Sequence, residues 1–174
     1  MFSSKKFISM QKVTGSSDVK HIECINPKKD KWKVRWAIKA TENGAAEYME
    51  EDFDHKPTVD EIKGIIIGWY NSNIDTEIVS GFVWNGTSVW LSTENQFNYK
   101  TAFDAAVMSG GATLPVKFKF GDDDTPVYHE FKTIEELSDF YYKAIAFVQS
   151  VLQKGWDEKD LLNFKVYEVE EVSD

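Results

Sequence analysis

No stretch of this chain is apolar enough to span a bilayer. Its longest apolar run, Ile65-Ile-Ile-Gly-Trp-Tyr70, falls far short of the ~20 residues a spanning helix needs. No membrane partner is therefore expected. The opening MFSSKKFISMQKV turns polar too soon to hold the hydrophobic region of a signal peptide, so no secretion signal is expected. Cysteine is nearly absent. Cys24 stands alone, which excludes an internal disulfide and fits a reducing compartment. It reads as a small hydrophobe on a strand, because no histidine base for a thiolate nucleophile is identifiable. Positive charge is scarce: 20 Lys and Arg stand against 29 Asp and Glu, a net charge of −9. Nonspecific nucleic-acid binding needs cations that displace counterions, so no nucleic-acid partner is expected. The local cluster Lys28, Lys29, Lys31, Lys33 and Arg35 reads as a solvated turn and strand face.

Catalytic signatures are missing as well. There is no glycine-rich phosphate loop, no HExxH, no paired CxxC and no GxSxG. His21, His55 and His129 lie far apart, without the spacing of a zinc site. Asp122-Asp-Asp124 lacks the alternating ligands and distal Glu of an EF-hand loop, and reads as an exposed hairpin turn. Asn85-Gly-Thr87 matches a glycosylation sequon but reads as a turn without a secretion signal. Neither a metal nor a cofactor nor an enzymatic activity is expected.

Aromatics and helix-start signals are what the chain has. Hydrophobic residues make up 42% and aromatics 14%, a globular composition. At 174 residues the chain suits one domain or two small ones, and needs no staple to hold a core. Three segments carry a Thr followed three residues later by Glu or Gln: Thr58-Val-Asp-Glu61, Thr93-Glu-Asn-Gln96 and Thr133-Ile-Glu-Glu136. The hydroxyl accepts an amide of the first turn, and the longer side chain reaches back to the Thr amide. These boxes predict helices over about 59–72, 94–109 and 134–154. Gly110-Gly111 ends the second and Gly155 the third. The expected apolar stripes are Val59, Ile62, Ile66, Trp69 and Tyr70; then Tyr99, Ala102, Phe103 and Ala106; then Ile134, Leu137, Tyr141, Ile145, Val148 and Leu152. Gly64 and Gly68 inside the first helix imply the close approach of another backbone.

Residues 1–20 read as loosely structured, with a strand start at Phe7-Ile8 and a loop at Gly15–Asp18. Strands are expected at His21–Ile25 and Trp32–Ile38. The second alternates strictly, with Trp32, Val34, Trp36 and Ile38 on one face and Lys33, Arg35 and Lys39 on a wet one. A third strand returns over Glu47–Phe53. A hairpin over Glu77–Leu91 turns at Asn85-Gly86. Another joins Leu114–Phe120 to Val127–Phe131. A short helix near Glu158–Phe164 and an acidic tail follow. The expected class is α+β: antiparallel hairpins packed against three main helices. An N-terminal sheet plus helix occupies 1–75, and a second α+β region 76–174. Strand, strand, capped helix occurs at both Thr58 and Thr133, an order that a ββα duplication or ordinary capping grammar would produce.

The segment from about Val79 to Phe164 combines Val83-Trp-Asn-Gly86, Val89-Trp90, a helix from Thr93-Glu-Asn-Gln96, Leu114-Pro-Val-Lys-Phe118, and Phe131-Lys-Thr133 leading to Tyr141-Tyr142. In this it resembles an uncharacterised domain family carried by tail and tail-fibre proteins of tailed bacteriophages and prophages. The resemblance implies a non-enzymatic virion protein, located in the virion or the bacterial host cytoplasm. Its implied partners are other phage structural or tail proteins, or a second copy of itself. It brings no catalytic residues. The alternatives are a tail-fibre assembly chaperone absent from the mature particle, and a small carbohydrate-binding module using exposed aromatics.

Strand parity around Asn85-Gly86 puts Phe82 and Trp84 on one face and Val83 on the other. Val89 and Trp90 differ in parity, so both cannot face the core. Trp84 and Trp90 are therefore the candidate protein-contact residues, unless both sheet faces are covered. Thr133→Ala is expected to lower stability by about 1 kcal/mol, as loss of an N-cap does, and thermal melts would show it. An unchanged melt would mean that the third helix starts elsewhere.

Overall fold

Alternation in the N-terminal segment builds one antiparallel sheet. In the computed structural model, which describes residues 10–168, its strands are β1 (Gln11–Ser16), β2 (Ile22–Asn26), β3 (Lys31–Ala40) and β4 (Ala45–Phe53), in the order β1-β4-β3-β2. Val34 and Trp36 on β3 are buried, with Tyr48 and Phe53 on β4. The alternation expected through Ile38 breaks at Ala37, whose φ of 52° sits at a register shift between Trp36 and Lys39. The expected loop at Gly15–Asp18 starts inside a strand, because Gly15 belongs to β1. A Cβ there would run into the Tyr48 hydroxyl, so the bare backbone lets Tyr48 lie across it. The expected strand start at Phe7-Ile8 lies outside the described residues.

The second face of β3 is not simply wet. Arg35 is buried. It donates Nε to Glu50 at 2.7 Å, and Nη1 to Glu23 at 2.8 Å and to the Lys20 carbonyl at 3.1 Å. Lys33 also binds Glu50, and lies 3.1 Å from Asp52. The register explains it: Arg35 faces Glu50 across the ladder, and Lys33 faces Asp52. Burial opposes charge at all three central groups, but the hydrogen bonds outweigh it. Lys33 and Arg35 are held above their ordinary pKa values and Glu50 below its own.

Glu51, opposite Val34, points to the other side of the sheet. It is buried, and its Oε2 has no hydrogen-bond partner. Burial raises its pKa, and the neighbouring Asp52 charge adds to the rise.

The chain divides into two compact units. The first holds residues 10–68 and 162–168 of the described chain, the second residues 69–161. The expected division at 75 thus moves to Gly68/Trp69, and the C-terminal segment returns to the first unit. A 3-10 turn at Phe164–Tyr167 stands where a short helix was expected, and the Tyr167 hydroxyl donates to the Arg35 carbonyl at 2.9 Å.

Helix α1 (Val59–Ser80) starts at a complete capping box. The Glu61 amide donates to Thr58 Oγ1 at 3.2 Å, and the Thr58 amide donates to Glu61 at 2.8 Å. The helix outlasts its expected end at Ser72, because Ile66, Tyr70, Ile74 and Ile78 continue the four-residue repeat. Glu77–Ser80 is therefore helix and not strand. Gly64 and Gly68 are exposed, with open space where a side chain would stand, so no backbone approaches them. The close approach lies in the second unit, at Gly155. It is buried within α3 (Ile134–Asp160) rather than ending it, and a Cβ there would collide with Ile74.

The second unit holds two short hairpins and two more helices. Strands β5 (Phe82–Trp84) and β6 (Thr87–Val89) turn at Asn85 and Gly86, both at positive φ. Helix α2 (Thr93–Met108) is capped one residue earlier than expected. Ser92 Oγ accepts the Asn95 amide at 3.2 Å, and the Gln96 side chain donates to the Leu91 carbonyl at 2.6 Å. Strands β7 (Val116–Gly121) and β8 (Pro126–Phe131) form the other hairpin. At the start of α3, Thr133 accepts the Glu136 amide at 3.2 Å. Glu136 turns aside, to the Lys132 amide and to His129.

The buried seam of α3 is Leu137, Phe140, Ala144, Val151 and Gly155, rotated from the expected stripe. Phe140 lies at the centre of the unit's core, in ring contact with Phe82, Trp84, Tyr99, Phe118, Phe120 and Phe131 at 5.0–6.3 Å. The α+β class stands: antiparallel sheets and, among the described residues, three α-helices.

Glu51 yields a pH prediction. The folded chain holds its proton above the ordinary value of 4.5, so the stability this group contributes is complete below 4.5. That contribution is lost as pH rises through the raised folded value. Glu51→Gln, which stays neutral, is expected to gain on the parent chain as pH rises from 4 to 8. Urea midpoints across that range would show it; parallel curves would contradict it.

Candidate functional site

The hairpin parity sends the two candidate tryptophans in opposite directions. Trp84 is buried in the core of its own unit. Its indole N–H donates to Asp139 at 3.3 Å, and its ring meets His129 at 4.7 Å and Phe131 at 5.2 Å. Asp139 is held below its ordinary pKa by the Lys143 hydrogen bond and then by this indole. The sheet face bearing Trp84 is covered by Phe140 of α3, the covered-face alternative for that residue. Trp90 is 48% exposed, although Val89 and Leu91 on either side are buried. Its backbone is fixed as well: the Leu91 amide donates to the Val79 carbonyl at 2.9 Å, and Asn95 Nδ2 donates to the Trp90 carbonyl at 2.9 Å.

A second feature of this unit was not anticipated from the sequence. Helices α2 and α3 flank an apolar groove of about 260 Å³, lined by Phe97, Tyr99, Tyr141, Ile145 and Val148 with Lys100 at its edge. Phe97 is 68% exposed and Ile145 39%. The groove has a firm wall, because Phe103 stacks on Tyr141 at 4.5 Å. Burial pushes the Tyr99 hydroxyl up to about 12, so it stays a neutral donor at physiological pH. Lys100 is paired with Asp104 on the same helix, whose hydrogen bond raises its pKa. Among the described residues, no histidine, cysteine or carboxylate lines the groove. Its lining is mostly aromatic and aliphatic, with Gln96, Lys100 and Gln149 as its polar members.

The sequence carried a signal for this groove. Phe97 stands off the Tyr99–Phe103–Ala106 stripe, and α3 has apolar residues at both Leu137–Phe140–Ala144 and Tyr141–Ile145–Val148. That band is too wide for one packing contact. The expected core role of Ile145 is thereby corrected.

The three histidines serve local structure. His21 Nδ1 lies 3.4 Å from the Arg35 carbonyl, His55 3.1 Å from Glu61 and His129 2.8 Å from Glu136. Asp122 accepts both the Thr125 hydroxyl and its amide, a tight turn as expected. Among the described residues, no group of three or more His, Cys, Asp or Glu is placed to hold a metal ion, and no helix is long and apolar enough to cross a membrane. No protein-family model, curated protein or solved structure matches the chain.

Proposed function

We propose that this chain is a non-enzymatic protein of a phage or prophage tail, and that it grips another tail protein through the α2–α3 groove. The observation that carries this reading is the exposed apolar lining, Phe97 and Ile145 above all. Exposed apolar surface next to firmly packed aromatics is what a protein contact uses. Both walls lie within residues 79–164, the segment that resembles the tail-protein family. The occupant is a different protein carrying net positive charge. A second copy would bring its own −9, and like charges resist association. The partner inserts an apolar side chain between Phe97 and Ile145.

The test uses particles purified from the source strain and examined by mass spectrometry, with the wild-type chain and with Phe97→Ser combined with Ile145→Ser. Both side chains are exposed, so the double variant should melt as the parent does. The wild type should be recovered with the particles, and the variant should fall about tenfold or more. A wild-type chain found in lysates but never in particles would replace this reading with the assembly chaperone. A variant retained at full level would rule out the groove as the contact.

A further inference from the structure

Trp90 stands over a second concavity, distinct from the groove and sharing no lining residue with it. The cleft, about 370 Å³, lies where the β5–β6 and β7–β8 hairpins meet. Beside Trp90 its lining includes Ser80, Thr87, Ser88, Asp122 and Thr125. Trp90 cannot fold inward, because Val89 and Leu91 occupy the core on either side and its carbonyl is tied to Asn95. The backbone fixed in this way directs the indole outward, so no main-chain rearrangement is needed to present it to a ligand.

Other residues of the lining have the opposite character. Asp122 is ionised at neutral pH, held below its ordinary value by the Thr125 hydroxyl and then the Thr125 amide. Those bonds also fix its direction, with Thr125 Oγ1 at 2.8 Å. Gly121 permits the turn: its φ is 76°, and a Cβ there would strike the Thr125 carbonyl. The rest of the rim is hydroxyls and backbone, with the exposed Val127 side chain beside them. The cleft therefore joins one aromatic face, one fixed carboxylate and several hydroxyl acceptors.

From this we infer that the cleft is a binding site for a guanidinium group, the side chain of an arginine on a partner protein. A guanidinium is planar and permanently charged, with five N–H donors and no acceptor. Its face stacks on the indole through the ring quadrupole. Its edge meets Asp122 in a charge-assisted hydrogen bond, and the remaining donors find the hydroxyls of Thr87 and Ser88. Anions are repelled by Asp122 and by the net charge of −9. An apolar side chain would leave the hydroxyls and the carboxylate unanswered.

The experiment uses the full chain and small blocked amino acids, so it needs no tail partner and stands apart from the particle test. N-acetylarginine amide is titrated while the Trp90 indole resonance is followed by NMR. N-acetyllysine amide, N-acetylglutamine amide and methyl glucoside serve as comparisons. The arginine probe should shift the Trp90 indole with a Kd of about 1 mM, the lysine probe more weakly, and the two neutral probes not at all. Trp90→Ala, followed instead through the backbone amide resonances of Asp122 and Thr125, should weaken arginine binding about tenfold, with an unchanged melt. Asp122→Asn should weaken it and also reduce its salt dependence. No shift with the arginine probe, equal binding of glutamine, or full binding by Trp90→Ala would each overturn the assignment. A response to the glucoside alone would make the cleft a sugar site instead.

Discussion

The second unit depends on Phe140. One ring on α3 is touched by six others drawn from β5, α2, β7 and β8. The six also touch one another, as Trp84 does Phe131 and Tyr99 does Phe118, but Phe140 is the ring they share. The hairpins are short, and a two-stranded ribbon is marginal alone in water. What holds them is the burial of large aromatic faces in tilted and edge-on contacts, the arrangement the ring quadrupole favours. α3 can bear this load because its start is fixed by Thr133 and its far end by Gly155, whose missing side chain lets Ile74 come close.

The surfaces follow from that core. Once Phe82, Trp84 and Val89 are committed inward, strand parity leaves Val83 and Trp90 outside. Once Leu137, Phe140 and Ala144 take the buried seam of α3, Tyr141, Ile145 and Val148 fall on its flank, facing α2. The groove and the Trp90 cleft are thus consequences of how the aromatic cluster is filled. The first unit works differently. Its sheet buries a cross-strand ion cluster on one face, and on the other a carboxyl, Glu51, that keeps its proton longer than usual.

Local physics was readable in the sequence. The Thr58 and Thr133 caps, the Asn85-Gly86 turn and the Trp32–Trp36 alternation each rest on a few adjacent residues, and each appears where expected. The errors came from choices that neighbours in space decide. Ser92 and Thr93 are both good caps, and Gln96 found the Leu91 carbonyl rather than the Thr93 amide. Gly155 looked like a helix end until Ile74 was seen against it, whereas Gly64 and Gly68 looked like contact points and face open space. Arg35 read as solvated because nothing in the linear sequence shows Glu50 directly across from it. Parity showed that Val89 and Trp90 could not both face the core and left open a cover on each sheet face; only the position of Phe140 shows that Trp84 is buried.

The most direct check of this account is 19F NMR on the chain labelled with 5-fluorotryptophan, with its six tryptophans assigned by single Trp→Phe variants and a soluble gadolinium chelate added. If the aromatic core sorts the hairpin as described, the chelate broadens the Trp90 signal strongly and leaves the Trp84 signal sharp. Equal broadening of the two, or a sharp Trp90, would contradict it.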